Sequence, residues 1–365
     1  MAKTDVLIVG GGIAGASLAA RLAGRLSVVL IEAEDLCGRH STGRSAAFWQ
    51  ASLGAGTPER TLSLLSKPFF DAQWPGSDTP LLRARGTLHL LHDAGQKLDD
   101  IEETGEFAPD YFDRETLDAR LPGLRDQWIG AWWEASCADI EVAAFHAACL
   151  AAAKRAGAII RTDSRLQSAR RSGEGWLVNT SGGELETGLI VDAAGAWGDD
   201  VAARCGVGPI GLMPKRRTMV QLRIGRSDCR DIPMVTDLHE SFYFKGEGER
   251  SVWVCPLDET PVDPCDAAPE EMDVAIAIDR FERAVRWPVE AVERKWAGLR
   301  TFTADKRMRF GFDPDQPRFF WAVGQGGMGI QTAPAASLLS ARLILDEPLG
   351  DDLAGLSAAD FAPKP

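Results

Sequence analysis

The sequence predicts an α/β fold, a doubly wound parallel sheet carrying an inserted antiparallel lobe, and three observations carry that prediction. The chain enters a continuous apolar run at Val6-Leu7-Ile8-Val9, followed at once by Gly10-Gly11-Gly12-Ile13-Ala14-Gly15. Two further strand-to-turn steps rich in small residues occur at 189–197 and 318–329. Between them the texture shifts to short strands separated by proline-rich turns. A strand buried on both faces of a parallel sheet reads as an unbroken apolar run, whereas strands of a half-covered antiparallel sheet alternate.

Taken in order, 6–9 is the first strand, 16–23 is rich in helix formers, and 27–31 is a second β-branched run ending on Glu32. That is a βαβ unit of the expected length. Residues 86–91 read as a strand, and 93–122 as polar helix-and-turn material. Helical periodicity over 140–156 leads through Gly157 into a strand at 158–161, and 176–180 with 185–187 suggest a hairpin about Gly182-Gly183. Strand-like pieces at 218–224, 241–245 and 251–255 follow, then a helix over 269–285. A strand at 318–323 and a helix over 330–345 close the chain. The implied division is a dinucleotide-binding domain of 1–80, 138–206 and 298–365, with a substrate domain of 81–137 and 207–297.

Composition narrows the function. The chain has 365 residues, and Asp+Glu 53 against Lys+Arg 40 give a net charge of −13, which argues against a general nucleic-acid binder. The seven cysteines contain no C-x-x-C pair and the five histidines do not fall at metal-ligand spacing from them, so neither a disulfide framework nor a metal site is expected. No run of 18 apolar residues could span a bilayer, and the N-terminus lacks the pattern of a secretory leader. A cytoplasmic location is the expectation.

The glycine cluster gains meaning from its context: it follows a strand, opens a helix, and has an acid at the end of the next strand. Gly10, Gly12 and Gly15 permit a tight turn, close approach of a pyrophosphate and close helix–strand packing, with Ile13 and Ala14 opening the helix. Glu32, followed by Ala33, would accept hydrogen bonds from ribose hydroxyls and repel a 2′-phosphate, leaving FAD or NAD and excluding NADP. The small-residue turns at 192–197 and 324–331 favour FAD, because a flavin ring gains negative charge on reduction and a further helix N-terminus stabilises it. Together these features describe a Rossmann-like domain.

The segments Ser41-Thr42-Gly43-Arg44-Ser45-Ala46-Ala47, Pro214-Lys215-Arg216-Arg217, Glu240-Ser241-Phe242-Tyr243, Trp296-Ala297-Gly298-Leu299-Arg300 and Gln325-Gly326-Gly327-Met328-Gly329-Ile330-Gln331 carry a more specific likeness. With them the chain resembles the D-amino acid oxidase/glycine oxidase (DAO-type) superfamily, and within it the FAD-dependent D-arginine and D-amino acid dehydrogenases. The resemblance implies a glutathione-reductase-type FAD domain with an inserted α+β substrate domain. It also implies oxidative deamination of a D-amino acid, with hydride passing from the α-carbon to flavin N5 and the imino acid hydrolysing to a 2-oxo acid and ammonia. Arg300, Tyr243 and one of Arg216 or Arg217 would clamp the substrate carboxylate, and the likeness favours Arg217. Non-covalent FAD would lie against Ser41, Thr42, Arg44, Ser45, Ala46, Ala194, Gly195, Trp197, Arg300, Gly326, Gly327, Gly329, Ile330 and Gln331, besides the glycine loop. His40 and His89 are weaker candidates as proton acceptors.

Departures from the arginine-oxidising relatives refine this. Phe48, Leu53 and Thr87 stand where those relatives carry polar or acidic groups, so a pocket of Phe48, Leu53, Thr87 and Met328 is expected to take a neutral, mainly apolar side chain. Residues 50–56 suit a glycine-hinged lid. Oxygen-using sarcosine oxidase relatives carry a lysine near the flavin on a strand that aligns with Ser251–Cys255; none occurs here, and the likeness therefore implies a dehydrogenase, its acceptor a quinone, an electron carrier or oxygen. Oxidation of an N-methyl amino acid or of a 2-hydroxy acid uses the same clamp and stands as the alternative.

Overall fold

The computed structural model describes residues 3–72, 80–93 and 107–364. Lys3–Val9 and Val28–Ile31 pair in parallel, Ile159–Arg161 extends that edge, and Gly183–Asp192 flanks the first strand on its other side. Phe319–Val323 continues the parallel order beyond Gly183–Asp192, and Arg309–Phe312 closes that edge antiparallel. Both faces of this sheet's central strands are buried. Val6 and Ile8 pack with Leu18, Leu22 and Leu339 on one face, whereas Leu7 and Val9 pack with Trp176, Val178 and Val201 on the other. Each such fully buried aliphatic side chain contributes about 1.5–3 kcal/mol. The helices Ile13–Leu22, Val142–Arg155 and Gly329–Ile344 are placed by this demand for cover.

A second eight-stranded sheet runs Val289–Phe302, Met213–Ile224, Ser251–Cys255, Tyr243–Gly246, Met234–Asp237, Thr87–Leu91, Gly130–Glu134, Asp110–Asp113. It is antiparallel save at one place, where Met234–Asp237 pairs in parallel with Thr87–Leu91. That junction joins the two chain segments that build the sheet, which no hairpin connects, so nothing forces them antiparallel. The helix Glu271–Ala284 covers this sheet through Val274, Ala277 and Phe281. A small sheet of Phe48–Trp49, Ala138–Ile140 and Leu82–Ala84 is the third.

Three elements differ from the expectations. The suggested strand 185–187 and the run after it form one strand, Gly183–Asp192, because its first half pairs with Gly175–Thr180 and its second half with Lys3–Val9. The run ends at Asp192, and Gly195–Trp197 is a single 3₁₀ turn. Of the 93–122 stretch, 94–106 lie outside the described residues; the remainder holds the strand Asp110–Asp113 and the helix Arg114–Arg120.

Candidate active site

The site begins at the end of the first strand. Gly10 has φ +111°, and a Cβ on it would fall 2.4 Å from the Ala193 carbonyl oxygen; a Cβ on Gly15 would fall 2.0 Å from the Gly10 carbonyl oxygen. Only glycine lets the helix Ile13–Leu22 sit this close to the turn. That helix has no side-chain cap of its own, but the Ile13 amide donates to Thr42 Oγ1 at 3.0 Å. The following amides lack intrahelical acceptors, as at any helix N-terminus, and lie at the positive end of its dipole. Glu32 braces the loop, accepting from the Gly11 amide at 2.7 Å and the Glu34 amide at 3.0 Å. His146 supports it from the Val142–Arg155 helix, its Nε2 lying 2.8 Å from the Gly11 carbonyl oxygen. Burial pushes the His146 pKa down, so the ring is a neutral donor at Nε2.

A single cavity of about 370 Å³ runs from this loop to the second sheet. Gly10, Gly12, Ile13, Ala14, Glu32 and Ala33 line one end, Ser41, Thr42, Arg44, Ser45 and Ala46 one wall, and Ala194, Gly195 and Trp197 another. Gly326, Gly327, Gly329 and Ile330 line it where the helix Gly329–Ile344 begins. Ser41 Oγ donates to the Leu299 carbonyl at 2.7 Å, and Arg44 donates to the carbonyls of Ala267 and Ala297 while pairing with Asp266. A trough with a helix N-terminus and a carboxylate at one end, and a second helix N-terminus further along, fits an extended FAD.

The far end is built by register. Arg217 lies opposite Gly298 on the neighbouring strand, and Arg300 lies two residues beyond Gly298, so both arginines occupy one face. Arg217, Met219, Tyr243 and Arg300 all line the cavity. The guanidinium of Arg300 lies against Gly327 and, among the described residues, has no hydrogen-bond or salt-bridge partner. Burial, followed by the nearby charge of Arg217, pushes its pKa down, yet an arginine stays protonated, so the end of the cavity is electropositive. Arg217 donates to the Asp258 carbonyl at 2.9 Å and to Glu259 at 3.0 Å, while its buried Nη1 has no partner. Arg216 points to the opposite face, paired with Glu270 and with Asp273 at 2.9 Å.

Other expected residues lie elsewhere. Gly15 packs beneath the loop rather than in the cavity wall, and Gln331 is buried, accepting from the Gln50 amide at 3.1 Å. The structure does not bring Phe48, Leu53, Thr87 and Met328 together as a cavity wall. Phe48 sits edge-on behind Tyr243 at 5.9 Å; Thr87 is buried within its sheet, opposite Glu134; Met328 packs over the loop at Gly54, and Leu53 belongs to that same loop. None of the four is among the residues that line the cavity. His40 lines the Glu32 end, 3.1 Å from Glu34 and against the Trp197 ring, and His89 lies away from the cavity beside Glu134. Sequence reasoning missed Met219, Leu299 and Thr301 in the wall and His146 behind it; the alternation that places Arg217 inward was the available signal for Met219.

The loop at 50–56 is strapped down. Buried Glu134 accepts from Gln50 Nε2 at 3.1 Å, the Ser52 amide at 3.1 Å, Ser52 Oγ at 2.6 Å and Ser136 Oγ at 3.0 Å, with His89 Nε2 at 3.2 Å. Burial alone would raise the pKa of Glu134, but the bonds from His89 and Ser52 outweigh it and hold the carboxyl below its usual range. A lowered native pKa stabilises the fold above the unfolded value of about 4.3, and this contribution is lost as pH falls through the native value. Glu134→Gln is therefore expected to cost about 1–3 kcal/mol near neutral pH. The gap in Tm between variant and wild type should close as the medium is acidified below about pH 4.

Comparison with known proteins places these observations in a family context. The model of the DAO family, FAD dependent oxidoreductase, matches residues 5–343. The bifunctional protein ThiO/ThiG of Synechocystis sp. is 24% identical over 359 residues, covering 94% of this chain and 52% of that protein. FAD-dependent oxidoreductase domain-containing protein 1 of Xenopus laevis is 27% identical over 183 residues, 44% of this chain and 36% of that protein. The chain spans about a third to a half of the length of the first curated relatives it matches. Glycine oxidase from Geobacillus kaustophilus superposes with a TM-score of 0.83 at 22% identity, covering 100% of this chain and 99% of that one, which shows the same fold. Among the described residues no helix is long and apolar enough to cross a membrane, and no cluster of potential metal ligands occurs.

Proposed function

The chain belongs to the DAO family of FAD dependent oxidoreductases, and from that premise we propose that it oxidises the CH–N bond of a small, uncharged amino acid, glycine-like or of D configuration. The carrying observation is the pair of under-partnered guanidiniums, Arg300 and Arg217 Nη1, on one face of the cavity beside the Tyr243 hydroxyl. Such a fork matches a carboxylate and holds it at a fixed place and angle. Around that end Ala46, Met219, Gly298 and Leu299 bring no acid to pair a cationic side chain, and Glu259 is engaged by Arg217 and Lys215. The D configuration rests on the likeness of the motifs.

FAD, when bound, supplies the two-electron acceptor for the hydride of the α-carbon. The chain's own part is positional. Arg300, Arg217 and Tyr243 fix the carboxylate, which leaves the α-carbon one bond away and confined to a short arc. The positive charge of both guanidiniums favours the zwitterion's acidic end at this end of the cavity. No histidine, lysine or acid stands beside Arg300 and Tyr243 among the described cavity residues, so the amine reaches the site neutral or loses its proton to water. The imino acid then hydrolyses in solution to a 2-oxo acid and ammonia.

The absence of lysine among the described lining residues supports a dehydrogenase that passes electrons to a quinone or protein carrier. Air should then reoxidise the reduced protein more slowly than an added quinone does. No cysteine lines the cavity among the described residues, and His40 lies at its Glu32 end, which supports non-covalent FAD. Acid precipitation is expected to leave the yellow colour in the supernatant; colour retained in the pellet would mean a covalent link. The deciding experiment is anaerobic mixing of the yellow protein with glycine, N-methylglycine, D- and L-amino acids and 2-hydroxy acids, following loss of flavin absorbance. Bleaching is expected with glycine or small D-amino acids, and bleaching by hydroxy acids alone would overturn the proposal.

A further inference from the structure

Tyr243 is buried, and its hydroxyl has an unusual neighbour. The acceptor of its proton is Met219 Sδ at 3.1 Å, and no oxygen acceptor reaches it among the described residues. Its cross-strand partner is Cys255, and the cluster enclosing it contains Cys137, Met219, Met234 and Cys255. The hydroxyl therefore faces sulfur on the protein side and the cavity on the other. A thioether is a weak acceptor, so this bond recovers only part of what the hydroxyl gave up on leaving water. Met219 follows Arg217 by two residues on one strand, which puts its side chain on the cavity face.

We propose that Met219 is a positioning residue for substrate binding: its sulfur aims the Tyr243 hydroxyl into the site and holds it weakly, so that an arriving carboxylate takes over the proton without a strong bond being broken. The inference rests on the carboxylate reading of the site given above. An oxygen acceptor at the same place would satisfy the hydroxyl in the empty site and compete with the substrate. An apolar side chain of similar volume would leave the hydroxyl only the weaker Cys255 thiol as a partner until substrate arrives.

The two substitutions thus act in opposite directions. In the FAD-loaded protein, Met219→Gln is expected to raise KM about tenfold with kcat within about twofold, because a buried hydrogen bond must be exchanged before the carboxylate is bound. Met219→Leu is expected to lower KM about twofold to threefold by the same reasoning. Tyr243→Phe should match Met219→Gln, and the double variant Met219→Gln/Tyr243→Phe should be no worse than Tyr243→Phe alone, since both remove one shared interaction. Acetate binding, read from the flavin absorbance change, should follow the same order and needs no turnover. Effects of one sign from Gln and Leu, or losses that multiply in the double variant, would overturn the assignment. Should Met219→Gln fail to load FAD, the Leu variant and its acetate titration decide alone. If neither acetate nor any amino acid binds the wild-type protein, or Arg300→Lys leaves KM unchanged, the carboxylate reading itself fails and the Met219 role falls with it. A wild type that binds acetate, with an impaired Arg300→Lys variant and no split among the Met219 variants, removes the Met219 role alone.

Discussion

Replacing Arg300 by alanine is expected to lower kcat/KM by about a thousandfold, about 4 kcal/mol of transition-state binding. The size follows from the surroundings. This guanidinium has no internal partner among the described residues, so whatever it binds meets the full set of its donors. Arg217 cannot take over, since its Nε and Nη2 are already committed to Asp258 and Glu259. Arg300→Lys should recover only part of the loss, because an ammonium offers a point charge in place of a planar fork. Flavin content must be measured alongside, as Arg300 also lies against Gly327. Steady-state kinetics with the best substrate of the panel is the check, and unchanged affinity in Arg300→Ala would end the carboxylate reading.

The second large effect concerns the cofactor end. Gly15→Ala should strip most of the FAD from the purified protein, lowering the flavin-to-protein ratio more than tenfold, and should destabilise the fold by about 1–3 kcal/mol. Its methyl group would meet the Gly10 carbonyl oxygen at 2.0 Å, and that atom is backbone in the tightest part of the turn. The helix must move off the strand, and its N-terminal amides move with it, away from where phosphates would lie. Gly208→Ala is the control: its added carbon meets nothing within 4 Å, so flavin content should be unchanged. Absorbance ratios and thermal melts of the two variants test the contrast directly.

How much of this was legible in the sequence follows from how each element is buried. The first strand reads cleanly because it is buried on both faces, the glycine turn because a Cβ at Gly10 or Gly15 would meet backbone, and Glu32 because it ends the next strand beside that turn. The helix Glu271–Ala284 and the strand Ser251–Cys255 also announce themselves, one by its amphipathic spacing and the other by a plain apolar run. The strand Val289–Phe302, which carries Arg300, does not. It is the edge of its sheet, and its first half shows Glu290, Glu293, Arg294 and Lys295 to solvent, so no apolar alternation marks it. Likewise the pocket expected from Phe48, Leu53, Thr87 and Met328 rests on single positions matched by likeness, which carry no information on depth. Alternation tells which way a side chain points but not which layer meets the cavity, and Met219 rather than Phe48 forms the wall.

The parallel seam between Met234–Asp237 and Thr87–Leu91 bears on how the molecule is made. A ribosome delivers the earlier of these strands long before its neighbour exists, so one edge of Thr87–Leu91 must wait unpaired while most of the intervening polypeptide is still being synthesised. Apolar strand edges left open in this way recruit other nascent chains. Maturation should therefore be more sensitive to translation speed and to holdase chaperones than the finished protein's stability would suggest, and substitutions along that seam should reduce soluble yield more than they reduce Tm.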